Sequence, residues 1–178
     1  AIRRQRQMCI RDSMDTSHLY MFVDYDGVVK TYAENFPDEL HDENMPFSMS
    51  MIRVLSNIAG LSGLPAYFMP ISSSPGRLSK EELLTMFRCT YRVGNLELHP
   101  HEPVVPVRTE RAEYVKKILK RYDVAYHLIL DDEFHWYEGE RLNYFQTHTF
   151  DGIRFETFLK VAEFAENIRR QNTAKAAP

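Results

Sequence analysis

From Leu19 to Ile168 the chain alternates short apolar runs with amphipathic stretches. Leu19 to Val23 is continuously apolar and ends in a polar turn, the pattern of a strand buried on both faces. Lys30 to Phe47 is polar and carries Pro37 and Pro46, which reads as a loop. Ser48 is placed to cap a helix in which Met51, Leu55 and Ile58 recur on one face. Ala66 to Ile71 is a second apolar strand, ended by Ser72, Ser73, Ser74, Pro75 and Gly76. Ser79 followed by Glu82 forms a capping box that opens a helix through Leu83, Leu84 and Phe87. Arg88 to Val107 is mixed, carries Pro100, Pro103 and Pro106, and has room for one short strand. Thr109 is placed to cap a helix with Ala112, Val115, Ile118 and Leu119 inward. Ala125 to Leu130 is a third strand, and Leu142 to Gln146 a shorter one. Phe155, Phe158, Leu159, Ala162 and Ala165 mark a closing helix, with Phe155, Phe158 and Phe164 in the core by spacing. Positions 169–178 read as a fraying, disordered polar tail.

Strands that alternate with helices need crossover connections, and these build a parallel sheet covered on both faces. The expected fold is therefore α/β. It is a Rossmann-like three-layer sandwich with a mainly parallel central sheet and no separate cap domain. In such sheets ligands bind beyond the carboxyl ends of the strands. The residues just after each strand therefore matter most.

Composition sharpens this picture in one place. The 178 residues are 44% hydrophobic and 12% aromatic, enough for a real core. No run approaches the roughly 18 apolar residues that span a bilayer, so no membrane partner is expected. Arg3 to Ser13 read RRQRQMCIRDS, which resembles a translated sequencing-library adapter. Positions 1–13 are therefore set apart from the fold, as an expression tag would be. That leaves a domain over 14–168 and the natural N-terminus open. Without the four arginines and one aspartate of that run, basic residues fall from 22 to 18 and acidic ones from 25 to 24. The net charge moves from −3 to −6, which weighs against broad polyanion binding. Cys9 goes as well, and Cys89 alone fits a reducing cytosol.

The chemistry gathers at the strand ends. Asp24, Tyr25, Asp26 and Gly27 follow the first strand, and Ser72, Ser73 and Ser74 the second. Arg111 opens the helix before the third, and Asp131, Asp132 and Glu133 follow it. Carboxylates converging on one crevice repel one another unless a cation sits among them. Oxygen ligands without His or Cys favour a hard ion such as Mg²⁺. A hydroxyl at a strand end and a guanidinium at a helix start can hold phosphate oxygens. Together these parts describe phosphoryl transfer. His99, His101, His135 and His148 lack ligand spacing, so zinc is not expected, and His127 reads as structural.

These residues resemble the haloacid dehalogenase-like hydrolases. The run VDYDGVV is similar to their first motif, ISSS to the second and LILDDE to the fourth. RAEYVKKIL, YHLILDDE and THTFDGI are similar to a compact subgroup associated with nucleic-acid repair and phage-like genomes. The resemblance implies a Mg²⁺-dependent phosphatase with Asp24 as nucleophile and an aspartyl-phosphate intermediate. It makes Asp26 the general acid and base, and Gly27 the tight turn beside the substrate. It places Mg²⁺ on Asp24, Asp26 and Asp131, with Asp132 as a further acidic contact. Ser72 would bind a phosphate oxygen, with Ser73 as the alternative register and Arg77 as a further substrate contact. The family's third motif uses Lys. Here Arg111 is best placed and Arg108 second, while Lys116 and Lys117 lie too far along the helix. Arg cannot donate a proton but can neutralise nucleophile and phosphate.

The gaps before Ser72 and before Arg111 are too short for an inserted cap. An open site admits a bulky phosphorylated substrate, a nucleotide or nucleic-acid end included. Trp136 and Tyr137 could stack on a base, although packing at the sheet edge is the plainer expectation. Two other classes are weighed. A receiver domain would need an acceptor Asp where Ser72 stands. A catalytically degenerate metal- or phosphate-binding module would keep the site without turnover.

Overall fold

The computed structural model describes residues 15–25, 27–29, 48–72, 79–90, 92–102 and 110–176. The adapter-like run, the Lys30–Phe47 loop and Thr109 lie outside these described residues. The strands are β1 (Asp15–Val23), β2 (Ala66–Pro70), β3 (Leu96–Leu98), β4 (Val124–Asp131) and β5 (Tyr144–Gln146). The helices are α1 (Met49–Ser62), α2 (Lys80–Thr85), α3 (Arg111–Tyr122) and α4 (Phe155–Ala176). A π-helical turn, Met86–Thr90, continues α2, and a 3-10 turn, Phe134–Trp136, follows β4.

The five strands form one sheet in the order β3-β2-β1-β4-β5, and every pairing is parallel. Central strands are apolar on both faces because helices cover both. Leu19, Met21 and Val23 of β1 join Phe68, Leu128 and Leu130 in one core, with Ile52 and Leu55 of α1, Leu83 of α2, and Val161 and Ala165 of α4. Tyr20 and Phe22 point the other way and join Met69, Ile129 and the α3 residues Ala112, Val115 and Ile118. This alternation is the two-residue period of a strand. The result is a three-layer, Rossmann-like α/β sandwich. Among the described residues no element stands apart as a cap.

The order of strands creates a switch point. From β1 the chain moves outward to β2 and β3, then returns across β1 to β4 and β5. The crevice beyond β1 and β4 lies where the connections diverge, the favoured place for a ligand in open parallel sheets.

Local signals in the sequence act as expected. Ser48 Oγ accepts from Met51 N–H at 3.2 Å, and Gly63 ends α1 in the left-handed region at φ 71. Ser79 and Glu82 exchange both bonds of the capping box, at 2.6 and 3.3 Å. Three details differ. β1 reaches back to Asp15, because the Asp15 N–H bonds the Asp123 carbonyl at 2.8 Å beyond the apolar run. Glu110, with no side-chain cap bond, occupies the N-cap of α3 in the place expected for Thr109. Helix α4 continues through Ala176, so positions 169–176 are helical, not a disordered tail. Tyr126 Oη of β4 donates to Asn172 Oδ1 at 2.8 Å and ties that extension to the sheet.

Phe155 is a further correction: it is 73% exposed, whereas Phe158 and Phe164 pack against the core. The buried stripe of α4 is Val161, Ala165 and Ile168. At ~100° per residue, Phe155 sits roughly 110° round the helix from it.

Candidate functional site

The switch point brings four distant residues together. Val23 pairs with Leu130, and the Asp24 N–H continues the ladder to the Leu130 carbonyl at 2.9 Å. Asp24, just past β1, therefore stands beside Asp131, the last residue of β4. The Ile71 N–H bonds the Val23 carbonyl at 3.1 Å, which carries Ser72 to the other flank of Asp24. The Ser72 hydroxyl donates to the Asp24 carboxylate. Arg111, the first residue of α3, closes the group. Its Nη1 donates to Asp24 Oδ2 at 2.9 Å and to Asp131 Oδ2 at 2.6 Å. All four residues are buried, Asp131 completely.

A second set, contributed by the segment after β4 and by β5, holds the first. Tyr137 Oη donates to Asp131 Oδ2 at 2.8 Å, and Tyr144 Oη to the Asp131 carbonyl at 2.9 Å. The two rings stack at 4.8 Å. The Glu133 N–H donates to Asp131 Oδ1 at 2.9 Å. Glu133 Oε2 lies 3.4 Å from Arg111 Nη2 and accepts from Trp136 Nε1 at 2.6 Å. The Arg111 guanidinium lies 5.7 Å from the Trp136 ring centroid.

Charge balance sets the properties of this cluster. Burial, and then the neighbouring Asp131, push the Asp24 carboxyl up to about 6 against the pull of Arg111 and Ser72. Burial also raises Asp131, while Arg111, the Glu133 N–H and Tyr137 lower it in part. Burial works against the Arg111 charge, but Asp131 and Asp24 outweigh it and raise its pKa. One guanidinium thus faces two buried carboxylates, and the core of the site carries an excess of negative charge.

Asp132 and Gly27 adjoin the cluster and lie close together. Asp132 is half-buried, and its Oδ2 accepts from the Thr149 hydroxyl. Gly27 has φ +77, and a Cβ there would meet Asp132 Cγ at 2.7 Å. Glycine is needed for the backbone conformation and for the close approach of the two loops. Gly27→Ala is expected to cost about 2–4 kcal/mol, from the left-handed backbone and the overlap together. Urea unfolding at equilibrium measures this; a loss under about 0.5 kcal/mol, the scatter of surface substitutions, would contradict it.

The residues present fit a hard cation. Asp24, Asp131 and Asp132 each offer an oxygen, all within 4.8 Å of one another. Asp24, Asp131 and Asp132 would hold such an ion by turning these oxygens inward onto it. The donor set is all oxygen, as Mg²⁺ requires.

The expected site residues thus divide. Asp24, Ser72, Arg111 and Asp131 meet, with Gly27 and Asp132 adjoining. Asp26, Ser73, Arg77 and Arg108 lie outside the described residues. Lys116 points away and bonds Glu140 at 2.9 Å. His127 is held neutral by burial, down to about 4, and serves the β4 edge through Asn143. His99 is buried against Tyr20, Tyr67 and Tyr122, a structural setting. Tyr137, Tyr144 and Thr149 are the residues that sequence reasoning missed as parts of the site. Tyr137 packs at the sheet as expected, but its hydroxyl reaches the buried carboxylate. The aromatic density after the acidic run was the available signal.

Fold and site define an α/β sandwich with a buried carboxylate–guanidinium cluster at its topological switch point. Comparison with protein-family models, curated proteins and solved structures gave no match to this chain. No helix among the described residues is long and apolar enough to cross a membrane.

Proposed function

We propose that the chain is a Mg²⁺-dependent phosphomonoester hydrolase of the haloacid dehalogenase-like type. The observation that carries this reading is the meeting of Asp24 and Asp131 across the switch point, with Arg111 between them. Asp24 is the nucleophile. Its second oxygen is fixed by the Tyr25 N–H at 2.7 Å, which orients the carboxylate. Asp131 and Asp132 share with Asp24 the holding of Mg²⁺, which when bound neutralises phosphoryl and carboxylate charge. Ser72 and Arg111 hold phosphoryl oxygens as the phosphorus moves onto Asp24. Asp26 is assigned by the resemblance to protonate the leaving oxygen and later to activate water. An open site suits a phosphorylated nucleotide or nucleic-acid end, and Cys89, the one cysteine among the described residues, fits a reducing cytosol.

The test is a panel of phosphomonoesters, from p-nitrophenyl phosphate to 5′- and 3′-phosphorylated oligonucleotides, with Mg²⁺ or with EDTA. Turnover that needs Mg²⁺ is expected. Equal residual turnover by wild type and Asp24→Asn on every ester would end the proposal. A second reading, a non-catalytic metal- or phosphate-binding module, draws on the Ser72 and Arg111 bonds that both engage Asp24. Mg²⁺ binding without turnover on any ester would favour it.

A further inference from the structure

Arg111 holds its carboxylates unevenly. Nη1 alone makes both short contacts, 2.9 Å to Asp24 and 2.6 Å to Asp131. Nη2 stands 3.4 Å from Glu133 Oε2, and Nε is buried without a hydrogen-bond partner among the described residues. The Nε–Nη2 edge is one of the forks that a guanidinium offers to a carboxylate as a bidentate pair. Here that fork is nearly empty, inside a side chain only 3% exposed. Buried N–H groups are nearly always paired, and an orphan asks for a reason.

The carboxylates are crowded from their side. Asp131 Oδ2 accepts from both Arg111 Nη1 and Tyr137 Oη, and Oδ1 accepts from the Glu133 N–H. A cation held by Asp24 and Asp131 calls on these same oxygens. It would set a second positive charge against Nη1 where little water screens the two.

We propose that Arg111 is a displaceable counter-ion: it fills the gap between Asp24 and Asp131 until a divalent cation binds, then swings its Nε–Nη2 fork onto Glu133. The inference rests on reading Asp24, Asp131 and Asp132 as the cation site. Glu133 is the natural acceptor. Its carboxylate already flanks Nη2, and its side chain is 45% exposed, so it has room to turn. The swing satisfies the orphan Nε as a bidentate pair. It leaves the Asp24 and Asp131 oxygens to the ion. Trp136 lies beside the guanidinium and is the chain's single tryptophan, so it reports on the movement.

The experiment titrates the full chain with Mg²⁺ alone, read by calorimetry and by tryptophan fluorescence. Wild type is expected to bind with a saturable fluorescence change. Arg111→Gln is expected to bind about tenfold more tightly, as it would if Arg111 filled the gap in roughly nine molecules of ten. It should also lose the fluorescence response. Glu133→Gln, altered at an exposed side chain, is expected to bind Mg²⁺ several-fold more weakly and to blunt the response. Wild-type binding without a fluorescence change, with Arg111→Gln no tighter, would mean that ion and guanidinium coexist; the inference then fails while the cation site stands. No Mg²⁺ heat from either protein overturns the cation site and the inference with it. If Arg111→Gln does not fold, Glu133→Gln decides: unchanged affinity with an unchanged response overturns the swing.

Discussion

On the proposed hydrolase reading, Asp24→Asn is expected to abolish phosphomonoester turnover, and it should make the folded protein more stable at pH 8. Losing a nucleophile costs on the order of 10³-fold or more in kcat, and Asp24 is the group proposed to form the covalent intermediate. The stability gain follows from charge balance. Asp24 and Asp131 are both buried against the single charge of Arg111. Neutralising one of them removes an uncompensated buried charge. The gain is held to about 1–2 kcal/mol, because the new amide places a donor beside Nη1 or Ser72.

The pH dependence separates this effect from packing. In the unfolded chain Asp24 releases its proton near 3.8, whereas in the fold burial and Asp131 hold it up to about 6. Between these values the folded state binds more protons than the unfolded state. Wild-type stability therefore falls as pH rises through that window. The contribution is fully present below about pH 4 and lost above about pH 6, and the raised Asp131 acts in the same sense. Asp24→Asn should flatten this fall. Urea unfolding at about pH 4.5 and about pH 8 measures it. A variant that loses stability equally at both pH values would refute the charge argument.

Arg111→Ala is expected to produce the largest loss of stability, about 3–5 kcal/mol at pH 8. It strands Asp24 and Asp131 as like charges in the interior and removes the cation beside Trp136. The loss should shrink as pH falls towards 5, where protonation of Asp24 relieves the repulsion. Mg²⁺ should restore part of it by replacing the missing charge. Denaturant midpoints at pH 5 and 8, with and without Mg²⁺, check all three statements. A loss that ignores both pH and Mg²⁺ would make Arg111 a packing residue only.

The two variants together explain why part of the site was legible. Charge and position were written locally. A carboxylate directly after an apolar run falls at a strand end, and the pattern of such runs implies a parallel sheet. Asp24, Ser72 and Asp131 followed from their places at strand ends, and Arg111 from its place at a helix start. Tyr137 did not follow. It lies six residues past Asp131 in a turn, and its hydroxyl direction depends on how that turn packs on Tyr144. Glu133 was visible as an acidic neighbour, but its place beside Arg111 was not. The outward face of Phe155 was missed for a related reason. Apolar spacing marked the helix, but which stripe met the sheet depended on the approach of α4.

By itself the sequence determined the alternation of strands and helices, the caps of α1 and α2, and the acidic, hydroxyl and basic residues at the strand ends. These are local properties, set by periodicity of three to four or two residues and by side chains within a turn of one another. The tertiary structure decided the order of the strands, and so the crevice between β1 and β4. It also decided that one guanidinium stands between two buried carboxylates. That arrangement joins positions 87 and 20 residues apart, and such contacts are set by how the layers pack around the sheet.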